Sequence, residues 1–170
     1  MKKLLITLFA ALLLSGCAAA PQANSEYSAE DINFAEMMIP HHEQAILMSN
    51  IALTNSISEE ILVLAQEIKD AQSPEIELMK SWTGVDSSTH MGHMMDGMLS
   101  ESQIQELRDS EGATFDRLFL EGMIAHHEGA IKMAQKVTGS ENKEVAALAT
   151  AIIEAQEKEI AFMRELIKFY

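Results

Sequence analysis

One cysteine stands in 170 residues, so the chain has no intramolecular disulfide and no thiolate metal cluster. Soft-metal chemistry therefore falls to methionine sulfur and histidine nitrogen. Positive charge is short as well: 12 Lys and Arg against 26 Asp and Glu give a formal net charge of −14. Such a surface repels nucleic acid and favours cations. There is no Gly-rich phosphate loop and no nucleophile elbow, which sets aside nucleotide chemistry and Ser-His-Asp or Cys-His catalysis. The apolar run over residues 4–14 is too short to span a bilayer, and polar Gln22 to Ser25 follows it.

What is present begins with an export signal. Lys2 and Lys3, the apolar run, then Leu14-Ser15-Gly16-Cys17 have the layout of a secretory signal peptide over residues 1–16. The tetrapeptide resembles a bacterial lipobox, in which Cys17 becomes the lipidated first residue of the mature chain. Residues 17–28 then read as a lipidated tether and 29–170 as one domain, placed in the cell envelope and touching the membrane through its lipid alone.

The chain also repeats itself. MIPHHEQAILM begins at Met38 and returns 85 residues later as MIAHHEGAIKM from Met123. After one residue of slack the match resumes, pairing Ile68 with Ile152, Gln72 with Gln156, Glu75 with Glu159 and Met79 with Met163. Apolar residues recur at three- and four-residue steps, the mark of amphipathic helices. Helices are predicted over 29–53, 57–81, 101–109 and 113–137, with a last one from Ser140 or Asn142 nearly to Tyr170. Ser28 with Asp31, Ser56 with Glu59 and Ser100 with Gln103 supply N-cap signals, and Gly139 a permissive C-terminal turn. Pro40 and Pro74 fall inside helices and are expected to bend them. Two repeated hairpins, about 29–82 and 113–168, predict an all-α antiparallel four-helix bundle with a Met/His-rich link over 83–100 and a short extra helix in the central connection.

At 100° per residue, His41 shares the apolar seam with Phe34, Gln44, Met48 and Ala52. His126 and Met133 repeat this, with Gly122 in place of Met37. His42 and His127 are rotated away and are expected to face solvent or the link. Gln72, Glu75, Gln156 and Glu159 lie on faces shared with Ile and Ala. A buried carboxylate or imidazole costs several kcal/mol unless compensated. Two compensations are open: a network of His41, Gln72 and Glu75 with its copy, or a metal bridging imidazole, carboxylate and thioether. Seam histidines and methionines also occur as plain core residues.

The link holds a second cluster, THMGHMMDGM. His90, Met91, His93, Met94, Met95 and Met98 offer imidazoles and thioethers, a donor set that selects copper as Cu(I) or Cu(II). Expected there to be exposed and mobile, these methionines gain nothing in packing.

The repeated M-I-x-H-H-x-x-A-I-x-M followed by A-Q-x-x-E-I-x-x-M resembles the bacterial domain of unknown function numbered 305, most specifically in FDRLFLEGMIAHHEGAIKMA from Phe115. The resemblance covers about residues 31–168. It implies a ferritin-like four-helix bundle, exported, with copper binding or metal tolerance in some members and the histidine pairs and link as candidate ligands. The leading expectation is a lipid-anchored protein that sequesters or passes on copper. A ferritin-like oxidase using iron or copper is the alternative, although no Glu-x-x-His is present; a metal-free structural bundle is the third. Binding is favoured over catalysis.

Overall fold

The computed structural model describes residues 26–88 and 94–170. The signal peptide, Cys17 and the tether up to residue 25 lie outside the described residues, as do His90, Met91 and His93. The helices are α1 (Ala29–Asn55), α2 (Glu59–Lys80), α3 (Glu101–Asp109), α4 (Gly112–Ala134) and α5 (Lys143–Leu166), closed by a 3-10 turn over Ile167–Phe169. Among the described residues there is no strand, and no helix is long and apolar enough to cross a membrane. The chain is an all-helical bundle in which α1 packs on α2, α4 on α5, and the two hairpins meet through α1 and α4.

The helix ends follow local chemistry. Ser28 and Asp31 form a capping box on α1, and Ser100 and Gln103 another on α3. Asn142 caps α5 through the N–H groups of Glu144 and Val145. Both prolines are absorbed inside continuous helices. Two details differ from the sequence reading. α4 ends at Ala134 and turns lead on to Gly139, whose φ is not positive. The N-cap of α2 is Ser58 rather than Ser56.

Ser56 is committed elsewhere, to a bond between the repeats. Its hydroxyl donates to Asp116 Oδ1 at 2.5 Å, and its oxygen accepts from Ser58 N–H. The repeat alignment pairs Asp116 with Asp31 and Ser56 with Ser140, and Asp31 is indeed hydrogen-bonded to Ser140. Each repeat thus anchors its first helix on the interhelix turn of the other. Both aspartates are buried, at 2 % exposure. At the end where the chain enters, Trp82 donates to Glu144 at 2.8 Å and stacks on Tyr27.

Two apolar cores fill the bundle. One contains Ala45 to Ala52 of α1 with Phe115 to Met123 of α4, together with Met163. The other contains Phe34 to Ile39 of α1 with Ala130 to Val137, together with Met79. The C-terminal half of α1 therefore lies against the N-terminal half of α4, and the reverse. Residues 41–42 and 126–127 fall between the cores, at the middle of both helices.

Asp116→Ala strands the buried Ser56 hydroxyl and is expected to cost about 1–3 kcal/mol in urea unfolding; a change within error would contradict the inter-repeat bond. Burial raises the pKa of Asp31, but the Ser28 N–H and the Ser140 and Ser28 hydroxyls outweigh it and hold the group below its ordinary value. Its stabilisation is complete above the unfolded pKa of about 3.9 and is lost as pH falls through the lower folded value. Asp31→Asn should flatten that acid limb; parallel stability curves for the two proteins would count against it.

Candidate metal centre

His41, His42, His126 and His127 are all fully buried. Helix α1 has two covered faces about 100° apart, one against α4 and one against α2. His41 lies on the first, where its ring meets that of His126 at a centroid distance of 3.8 Å. His42 lies on the second. The expectation that His42 and His127 face solvent or the link is thus corrected: His42 Nε2 is 2.9 Å from Glu75 Oε2, and His127 Nε2 is 2.6 Å from Glu159 Oε2. The expected network of His41 with Glu75 and Gln72 is replaced by these outer pairs. Glu43 and Glu128, next in each repeat, reach outward to Lys80 and Arg164.

These contacts decide which ring nitrogens are free. A carbonyl or ionised carboxylate only accepts, so Nε2–H donates in His41, His42 and His127. His41 donates to the Asp96 carbonyl at 3.2 Å. The Nδ1 atoms of all three are buried without a hydrogen-bond partner among the described residues, and so are both ring nitrogens of His126. Burial, aided by neighbouring His42, pushes His41 down to about 3, and burial holds His126 well below its ordinary value. Both are neutral imidazoles with lone pairs to offer. A histidine that donates one nitrogen to a carboxylate or carbonyl and keeps the other free has the arrangement that orients metal-binding histidines.

Other buried polar atoms are also unpaired. Both amide atoms of Gln72, Oε1 of Gln156 and Oγ of Ser49 are buried without a partner among the described residues. Met48 and Met133 are buried in opposite cores, above and below the imidazoles. Among the described residues no three His, Cys, Asp or Glu side chains gather around one point as ligands of an ion would. Thioethers, glutamine amides or the link are the groups available to complete a site.

The link crosses this layer. Gln44 clasps Leu99 at both ends, donating to its carbonyl at 2.9 Å and accepting its N–H at 2.7 Å. Lys132 pairs with Asp96 at 2.6 Å. Gly97, at φ +83°, lies so close to α4 that a Cβ would sit 2.2 Å from the Ala125 carbonyl oxygen, and one on Gly129 would sit 1.9 Å from that of Asp96. Residues 96–99 are therefore a fastened strap, not a loose connection. Among the described residues the expected free exposure of its methionines holds for Met94 alone, at 62 %; Met95 packs on the core that holds Met133, Met98 is half-buried beside Gly122, and Met91 lies outside the described residues.

The strap accounts for the departures from the repeat. Gln44 aligns with Gly129 and Met37 with Gly122. On one helix a side chain grips the strap, and on the other a missing side chain makes room for it. A Cβ on Gly122 would lie 3.1 Å from Leu99 Cδ2 and 3.3 Å from Met48 Cε. Gln44, Asp96, Gly97, Gly129 and Lys132 were not singled out as contributors from sequence, and the Gln44–Gly129 mismatch was their signal.

The model of the Domain of unknown function (DUF305) matches residues 31–167. The chain belongs to the DUF305 family. A DUF305 protein of Streptomyces coelicolor, described as secreted, is similar at 29 % identity and TM-score 0.74, over 81 % of this chain and 91 % of that one. A DUF305 fragment from Deinococcus radiodurans matches at 27 % identity and TM-score 0.74, over 84 % and 98 %. CopM in its Cu(II)-bound form matches at 34 % identity and TM-score 0.72, over 82 % and 97 %. CopM is also similar in its Cu(I)-bound, silver-bound and apo forms. A comparison with curated proteins finds no match. Metal handling is thus a property found within this DUF305 fold.

Gly129→Ala forces the strap off α4 and should speed amide exchange at Leu99 by about tenfold or more, whereas unchanged protection would contradict the fastening.

Proposed function

We propose that this DUF305 protein binds copper outside the cytoplasm, sequestering it or passing it on, and is held at a bacterial membrane by a lipid on Cys17. The observation that carries the reading is the layer of four buried, partly unpaired imidazoles from two repeats. Leaving such atoms unmatched costs free energy that a metal ion would offset. Neutral imidazole and thioether are the donors that suit Cu(I) and Cu(II), and a chain of net charge −14 attracts either cation. Copper- and silver-bound CopM, at about a third identity, supports the same class of ion.

His41, His126, His42 and His127 supply the nitrogens in this reading, and Met48 and Met133 flank them. Gln72, Glu75, Gln156 and Glu159 orient the outer histidines or complete the shell. Met94, Met95 and Met98, with His90, Met91 and His93 of the same link, capture the ion from solvent. The contact of His41 with the Asp96 carbonyl joins the two groups.

Competition of the full chain with a Cu(I) chelator tests this. Replacing His41 and His126 together by Ala should weaken binding at least tenfold, about 1.4 kcal/mol, and so should Met95→Leu with Met98→Leu. Affinity unchanged in both variants, with the fold intact by circular dichroism, would remove the proposal.

A further inference from the structure

Large exposed hydrophobic residues are concentrated at one end of the bundle. Leu53, Ile57, Val63, Phe162 and Phe169 are exposed by 37, 89, 50, 47 and 82 %. They sit at the end of α1, the α1–α2 turn, the start of α2, the end of α5 and the final turn. Tyr170 OH donates to Ser58 Oγ at 2.6 Å and holds these segments together. Residue 26 enters at the opposite end, where its carbonyl accepts from Asn142.

A groove of about 400 Å³ opens there between α2 and α5, lined by Glu59, Glu60, Val63, Leu64, Glu67 and Phe162. Its floor is apolar, and its charged lining is three carboxylates with no cation. The other repeat is an internal control for what the fold requires. At the matching positions Glu59 becomes Lys143, Val63 Ala147, Glu67 Ala151 and Phe162 Leu78, while Leu53 becomes Thr138 and Ile57 Glu141. Only Glu60 keeps an acidic counterpart, Glu144, and the same helical packing forms with Lys143 and Ala151 for the other two acids and with smaller or polar residues for most of the exposed apolar ones, so the exposed apolar rim with three carboxylates is not something the fold requires.

We propose that the groove docks a cationic amphipathic helix of a partner protein. Its apolar face would cover Val63 and Phe162, and its Lys or Arg side chains would meet Glu59, Glu60 and Glu67. Charge complementarity selects this occupant. A second copy of this chain would bring its own carboxylates and net charge of −14 against the same rim. Half-exposed Phe and Val give a docking helix the aromatic and aliphatic anchors on which interface energy concentrates.

The probe is a fluorescein-labelled helical peptide of Leu and Lys, compared with a Leu and Glu peptide of equal length, titrated against the full chain. Val63→Ala with Phe162→Leu installs residues the other repeat already folds with, and should weaken Leu/Lys binding about tenfold; Ile57→Glu, on the exposed turn, should weaken it less. Glu59→Gln with Glu67→Gln should weaken it and reduce its salt dependence. Glu30→Gln with Glu141→Gln, at the opposite end, should leave it unchanged. The proposal is overturned if the apolar swap has no effect, if the distant charge pair matters as much as the rim, or if the Leu/Glu peptide binds equally. Sedimentation showing a dimer that the apolar swap disperses would overturn it in favour of self-association.

Discussion

The structure depends on burying four imidazoles between two apolar cores. A chain seeking stability alone would place Leu or Ile at His41 and His126, because neutral nitrogen without a partner loses its water and gains little. Tolerating them requires strong cores on either side. Phe34, Met38 and Trp82 serve one end, and Phe115, Phe119 and Met123 the other. The Ser56–Asp116 and Ser140–Asp31 bonds tie each repeat to its neighbour's turn. Carboxylates from α2 and α5 then fix the outer rings, while the inner pair meet at a centroid distance of 3.8 Å with their planes tilted by 40°.

Duplication would give a symmetric protein, yet α1 and α4 share a face that only one strap can cross. Symmetry breaks there. Gln44 reaches for the Leu99 backbone where its counterpart Gly129 yields to Asp96. His41 consequently donates to the strap's Asp96 carbonyl, a contact His126 does not make, and the two inner rings differ in chemistry despite equivalent positions. Met95 and Met98 end on opposite sides of the crossing, each near a different core.

The helices, their order and the doubled hairpin were legible because hydrophobic spacing and the His-His phrase recur at a constant offset. The buried seam was legible in part. Periodicity placed His41 and His126 inward but sent His42 and His127 outward, since one amphipathic face was assumed where α1 and α4 each bury two. The same assumption joined Glu75 to the wrong histidine. The alignment matches Asp31 with Asp116 and Ser56 with Ser140, but nothing local distinguishes an inter-repeat bond from a helix cap. The strap's course depends on backbone approach at Gly97 and Gly129, which composition reads as flexibility.

As proposed, the buried ring nitrogens are ligands and not merely tolerated polar atoms. Nitrogen-15 NMR of the histidine rings, before and after one equivalent of Ag(I), tests this directly. The metal-free protein should show Nε2–H tautomers for His41, His42 and His127. On loading, ring-nitrogen resonances at the bundle centre should move, with His41 or His126 among them, together with methionine methyls. Silver that shifts methionine methyls while leaving every bundle histidine nitrogen in place would contradict the account and make the imidazole layer purely structural.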